Sequence, residues 1–150
     1  MAHSLSRLLF HVVFSTKDRE PFISSDVAER LFSYIGGIIR RLDGSAILVN
    51  GSSDHVHLLV CLPPNLALSD IMRVVKANSS LWANRKLALR GRFAWQAGYA
   101  AFTVSESNCK AVTDYIAAQQ AHHRKVLYQR EFLTLLKKHG VQFDERYMWK

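Results

Sequence analysis

The chain has 150 residues, 49% hydrophobic and 21% charged, with three Trp, five Tyr and eight Phe; that is enough apolar mass for one core-bearing domain and too much for a disordered polymer. Its two cysteines, Cys61 and Cys109, form no CxxC, which excludes a disulfide scaffold or thiolate metal cage and points to a reducing compartment. Twenty Lys and Arg against twelve Asp and Glu leave a net charge of +8, an excess that favours polyanionic partners, nucleic acid first.

Leu8–Ser15 alternates in the period-2 manner of a strand and is closed by polar residues 16–20 and Pro21. Val27, Leu31, Tyr34 or Ile35, Ile38 and Leu42 then repeat at helical spacing behind Ser25 and Asp26, which can cap a first turn; Gly44 stops that helix. Residues 46–50 and 54–62 read as a hairpin joined by Gly51, Ser52 and Ser53. Past Pro63 and Pro64, a longer helix carries Leu68, Ile71, Met72, Val75 and Trp82 on one stripe and extends into residues 85–89. Residues 99–104 form a last strand, a helix capped by Ser105 or Ser107 runs to about Arg124, and a short helix over 131–138 stops at Gly140.

The order strand, helix, strand, strand, helix, strand predicts an α+β, ferredoxin-like βαββαβ sandwich, with a four-stranded antiparallel sheet and two helices on one face. The expected core spans about residues 5–104, and the C-terminal helices, about 105–140, form an appendage within the same single domain. The longest apolar runs, such as 8–14, fall short of the roughly 20 residues that cross a bilayer. The N-terminus lacks a secretory pattern, so a cytoplasmic protein without membrane contact is expected.

Asp54-His55-Val56-His57 lies inside a strand, so both imidazoles emerge on one face, opposite Val56, Leu58 and Val60, and can share one cation. A hydrogen-bonded histidine pair is the other reading of the same residues. Tyr115 and Gln119 lie four residues apart, on one helical face. They suit a nucleophile beside a ligand oxygen, although Tyr115, flanked by Val112, Ile116 and Ala118, equally suits a core aromatic. His122 and His123 are second-choice ligands near a helix end. Residues 71–105 contain no acid but hold Arg73, Lys76, Arg85, Lys86, Arg90 and Arg92, interleaved with Trp82, Phe93, Trp95 and Tyr99. That mixture attracts phosphates and offers rings for unpaired bases, with Arg73, Lys76, Arg85 and Arg92 as the DNA-binding candidates.

The sequence resembles the small single-tyrosine HUH transposases of bacterial insertion sequences, the IS-two-hundred type, including their repeat-associated relatives. The likeness runs through His11-Val12-Val13-Phe14-Ser15-Thr16-Lys17, Asp54 to Val60, Trp95-Gln96-Ala97-Gly98-Tyr99, Tyr115-Ile116 with Gln119, His122-His123-Arg124-Lys125, and Asp144 to Trp149. It implies His55, His57 and Gln119 as metal ligands, Tyr115 as the nucleophile, Mg²⁺ or Mn²⁺ as the cofactor, and single-stranded or hairpin DNA as the substrate. A 5′-phosphotyrosine intermediate with a free 3′-hydroxyl, strand rejoining, and a homodimer with composite active sites are also implied. The chemistry is coherent: a phenol with an unperturbed pKa of about 10 needs help to ionise near neutrality, and a divalent cation orients the phosphate and stabilises its developing charge. Two other classes fit parts of the same pattern. One is a non-catalytic ferredoxin-like nucleic-acid-binding module, whose aromatic strand signature is missing. The other is a zinc hydrolase using His55, His57 and one of His122 or His123.

Overall fold

Strand β1, Leu8–Ser15, lies at the centre of the molecule. It pairs antiparallel with β3, His55–Leu62, on one side and with β4, Ala100–Val104, on the other. Strand β2, Ser45–Gly51, adds to the outer edge of β3, so the sheet order is β2-β3-β1-β4. This computed structural model describes residues 4–87, 89, 91–123 and 126–149. Arg90, Arg124 and Lys125 therefore lie outside the described residues, and the second long helix ends at Lys86, with Leu87 extended, rather than running on to residue 89 as expected.

Helices α1, Ser25–Arg41, and α2, Leu68–Lys86, cover one face of the sheet. Helix α1 turns Val27, Leu31, Ile35 and Ile38 inward at the expected spacing, onto Val12, Phe14, Val56, Leu58 and Val60. Each such side chain contributes about 1.5–3 kcal/mol of hydrophobic burial. The helix begins one residue earlier than its capping pattern suggests: the N-cap is Ser24, and its side chain makes no capping hydrogen bond. Strand order and helix placement together are the expected split βαβ arrangement.

The hairpin that presents β3 depends on Gly51. A Cβ there would collide with the His55 carbonyl and come within 2.9 Å of the Val56 Cα, so only glycine allows the two strands to close at that point.

The opposite face is covered by the C-terminal helices α3, Cys109–Ala117; α4, Gln119–His123; and α5, Tyr128–Lys138. Val13, Ala100 and Phe102 of the sheet bury Tyr128, Phe132, Leu135 and Leu136 of α5 in a second apolar cluster. A short helix, α6, Glu145–Met148, follows and is capped by Asp144.

The single helix expected from Ser105 or Ser107 to about Arg124 is broken at Ala118. Its cause is visible in β2, where the Asn50 amide donates to the Ile116 carbonyl at 2.9 Å. A side chain satisfies the carbonyl that the next helical turn would otherwise have used. Gln120 donates back to Asn50 Oδ1 at 3.2 Å, tying α4 to the same strand.

Candidate active site

Strand alternation places His11, Val13, Ser15, His55 and His57 on the face that α1 and α2 leave free, since Val13 pairs with His57 and Ser15 with His55. That face is not open to solvent, because α3 to α5 close over it and both His55 and His57 are 0% exposed. The outer nitrogen of each ring is held. His55 Nδ1 lies 2.8 Å from Asp54 Oδ1, and His57 Nδ1 lies 2.8 Å from His11 Nε2. Such partners fix ring orientation, as in metal sites whose histidines are steadied from behind. Both Nε2 atoms consequently point at the C-terminal helices.

There they meet Glu131, a buried carboxylate of α5 that sequence reasoning did not single out. One oxygen, Oε1, accepts from His57 Nε2 at 3.1 Å and His123 Nε2 at 2.9 Å, with His55 Nε2 at 3.5 Å. The other, Oε2, accepts from Gln119 Nε2 at 3.1 Å and from the Tyr115 hydroxyl. Gln119 Oε1 in turn lies 3.1 Å from His55 Nε2. Tyr115 and Gln119 thus reach the histidines from either side of the helix break and meet at one carboxylate, rather than stacking on one continuous helical face.

Burial, reinforced by the neighbouring imidazole, lowers the pKa of His11 to about 3; burial outweighs the pull of Glu131 and lowers that of His57 to about 4. Both rings are therefore neutral near pH 7. Burial works to raise the Glu131 pKa, but hydrogen bonds from His123, His57 and Tyr115 overcome it and hold the carboxyl well below its ordinary range. Burial and then the adjacent Glu131 charge push the Tyr115 phenol upward. It stays protonated, in hydrogen-bond contact with a carboxylate.

The donor set fits a cation. His55, His57, His123 and Glu131 each offer one ligand atom, and these atoms lie within 4.8 Å of one another, the spread expected around one ion with ligands at about 2.0–2.3 Å. Asp54 can only accept, so His55 donates from Nδ1 and its Nε2 lone pair faces Gln119 Oε1 and Glu131 Oε1. Three electron pairs converging in a buried space call for positive charge between them.

The family model described as Transposase IS200 like matches residues 4–119. The chain belongs to the IS200-like transposase family. The transposase for insertion sequence element IS200 of Salmonella typhimurium is 28% identical over 128 residues, covering 79% of this chain and 81% of that protein. The ISDra2 transposase TnpA of Deinococcus radiodurans is 27% identical over 118 residues, covering 75% and 84%. Two solved structures share the fold at a TM-score of 0.61: a Deinococcus radiodurans R1 protein assigned as a transposase, 22% identical and covering 79% of this chain and 95% of that one, and a REP-associated tyrosine transposase bound to a REP hairpin, 14% identical and covering 84% and 76%.

In this IS200-like transposase the family match takes in Tyr115 and Gln119 and ends before His123 and Glu131. Only the 128–138 amphipathic pattern of α5, with one acid inside a buried stripe, could have marked Glu131 beforehand. The basic residues of the middle segment lie on and after α2. Arg73, Arg85 and Arg92 are exposed, and Arg73 lies 3.7 Å from Asp70. Lys76 is half-buried, donating to the Gln96 carbonyl at 2.7 Å and to that of Gly98. Phe93 and Trp95 are core residues, with Trp95 donating to Ser79 Oγ at 2.8 Å. Trp82 is stacked on Tyr34 with ring centroids 4.5 Å apart. Among the described residues, no helix is long and apolar enough to cross a membrane.

Proposed function

We propose that the protein cuts and rejoins single-stranded or hairpin-flanked DNA through Tyr115. The phenolic oxygen attacks the scissile phosphorus in line, forming a Tyr115–O–P bond as the bond from phosphorus to the 3′-oxygen breaks. That oxygen takes up a proton and leaves as a 3′-hydroxyl, while the 5′-phosphate stays on the tyrosine. Attack by a second 3′-hydroxyl reverses the step and joins strands without a nucleotide cofactor.

A divalent cation, Mg²⁺ or Mn²⁺, would supply phosphate orientation and charge neutralisation, held by His55, His57 and the oxygens of Gln119 and Glu131, with His123 within reach. The chain's own residues do the remaining work. Asp54 and His11 hold the imidazoles in place, and Glu131 Oε2 receives the phenolic hydrogen bond and is the nearest acceptor for its proton. One observation carries this reading: the Tyr115 hydroxyl and three imidazoles meet on the two oxygens of one carboxylate within a single chain. The same meeting within one chain supports a site that each chain completes by itself, and the composite site of a homodimer is the arrangement against which it is tested. Arg73, Arg85 and Arg92 contact DNA from the helical side, while Lys76 holds the turn at 96–98.

The test is incubation with labelled single-stranded hairpin DNA and Mg²⁺ or Mn²⁺, followed by denaturing electrophoresis. Wild type yields a denaturation-resistant adduct, and Tyr115→Phe yields none while still binding DNA. An adduct in Tyr115→Phe would dismiss this nucleophile. The grouping of His123 with His55 and His57 favours one second reading, hydrolysis by water, whose signature is cleavage without an adduct.

A further inference from the structure

Outside the carboxylate hub, the Tyr115 ring forms one wall of a cavity of about 350 Å³, within the size range of small-molecule sites. Its other walls include His122, Glu131 and a stripe of α5, Arg130, Thr134 and Lys138, repeating every four residues so that all three share one helical face. A second cavity, of about 180 Å³, shares Tyr115, Leu135 and Lys138 with the first. The two thus adjoin as one trough along Tyr115 and Lys138.

The charge in this trough is one-sided. Arg130 and Lys138 are exposed, and neither has a carboxylate partner among the described residues, whereas Arg7, Arg73, Lys110 and Arg146 each lie beside an acid. Glu131, the acid in the first cavity's lining, directs both oxygens at Tyr115, Gln119 and the histidines. His122 Nε2 is buried and makes no hydrogen bond among the described residues, although it lies 3.3 Å from Glu131 Oε2.

We propose that this trough is a subsite for the sugar–phosphate backbone of the attacked strand: Arg130 and Lys138 bind phosphodiesters flanking the scissile one, an assignment that rests on reading the protein as a single-strand DNA transposase. A strand reaching Tyr115 must cross the trough, and its neighbouring phosphates then fall beside the two cations. Base identity plays no part in these interactions, so the subsite sets register and affinity rather than sequence preference.

The test uses Tyr115→Phe protein, which cannot be trapped as an adduct, and fluorescein-labelled oligodeoxythymidylate read by anisotropy across a range of NaCl. For single strands, neutralising one phosphate-binding cation makes the plot of log affinity against log salt shallower by about 0.7. The double variant Arg130→Gln/Lys138→Gln is expected to flatten that slope by about 1.4 and to bind severalfold more weakly near 0.1 M salt. Arg130→Lys/Lys138→Arg, which keeps both charges, is expected to retain the slope, as is Arg41→Gln on the far side of the sheet. An unchanged slope in the neutral double variant, with its circular dichroism and melting point intact, overturns the subsite. So does an equal flattening in the charge-conserving pair. Adduct formation is scored separately on chains with Tyr115 present: adduct without a slope change removes the subsite and keeps the enzyme, and a slope change without adduct does the reverse.

Discussion

Lowering the pH of metal-free protein from 7.5 to 5 costs about 4 kcal/mol of folding stability, through two buried imidazoles. His11 and His57 have folded pKa values of about 3 and about 4, against about 6.5 in an unfolded chain. Depressed histidines bind protons more readily when unfolded, so their contribution is intact above pH 6.5 and is lost progressively between 6.5 and the folded values. At pH 5 the unfolded state gains about 2 kcal/mol per ring from protonation, and the folded state gains almost none. Glu131 titrates below this window, because its folded pKa is lowered and its stabilisation disappears only as the pH falls beneath the ordinary carboxyl value of about 4.3. Urea unfolding followed by circular dichroism, with a chelator present, measures the loss at pH 7.5, 6 and 5. His11→Gln can still hydrogen-bond to His57 and is expected to halve the loss. A wild-type loss below about 1 kcal/mol, or the same loss in His11→Gln, would refute the burial argument for these rings.

Gly51→Ala, whose Cβ would meet the His55 carbonyl and the Val56 Cα, destabilises the fold by about 3 kcal/mol in the same urea assay, and a cost under about 1 kcal/mol would show that the hairpin opens freely. Glu131→Gln removes the anionic oxygen that faces His55, His57 and His123. Titration calorimetry should show Mn²⁺ affinity falling at least about tenfold; unchanged affinity would leave Glu131 outside the ligand set. Mixing Tyr115→Phe with His57→Ala chains forms no adduct when each chain completes its own site, and recovered adduct would mean that the tyrosine helices exchange between subunits.

The period-2 alternation of Leu8–Ser15 and the 54–62 run, and the 3.6-residue stripe of α1, were enough to place the sheet, the two helices on one face, and His55 and His57 together on the other. These are local properties: once a strand forms, the direction of every side chain along it follows. Tyr115 and Gln119 were likewise legible as a pair four residues apart, but the helix break at Ala118 depends on Asn50 of β2, which lies 66 residues earlier than the carbonyl it binds. Glu131 was invisible for the same reason. In sequence it is one acid in an amphipathic helix, and its meaning comes from α5 folding back over β1 and β4 to bring it beneath His57 and His123. His11 looks like part of an apolar strand until the β1–β3 register sets it behind His57. Composition and periodicity decide which residues are inward-facing and which chemistry is present. The partner of each buried polar group is decided only by the long-range packing that removes it from water, because there a hydrogen bond left unmade costs most.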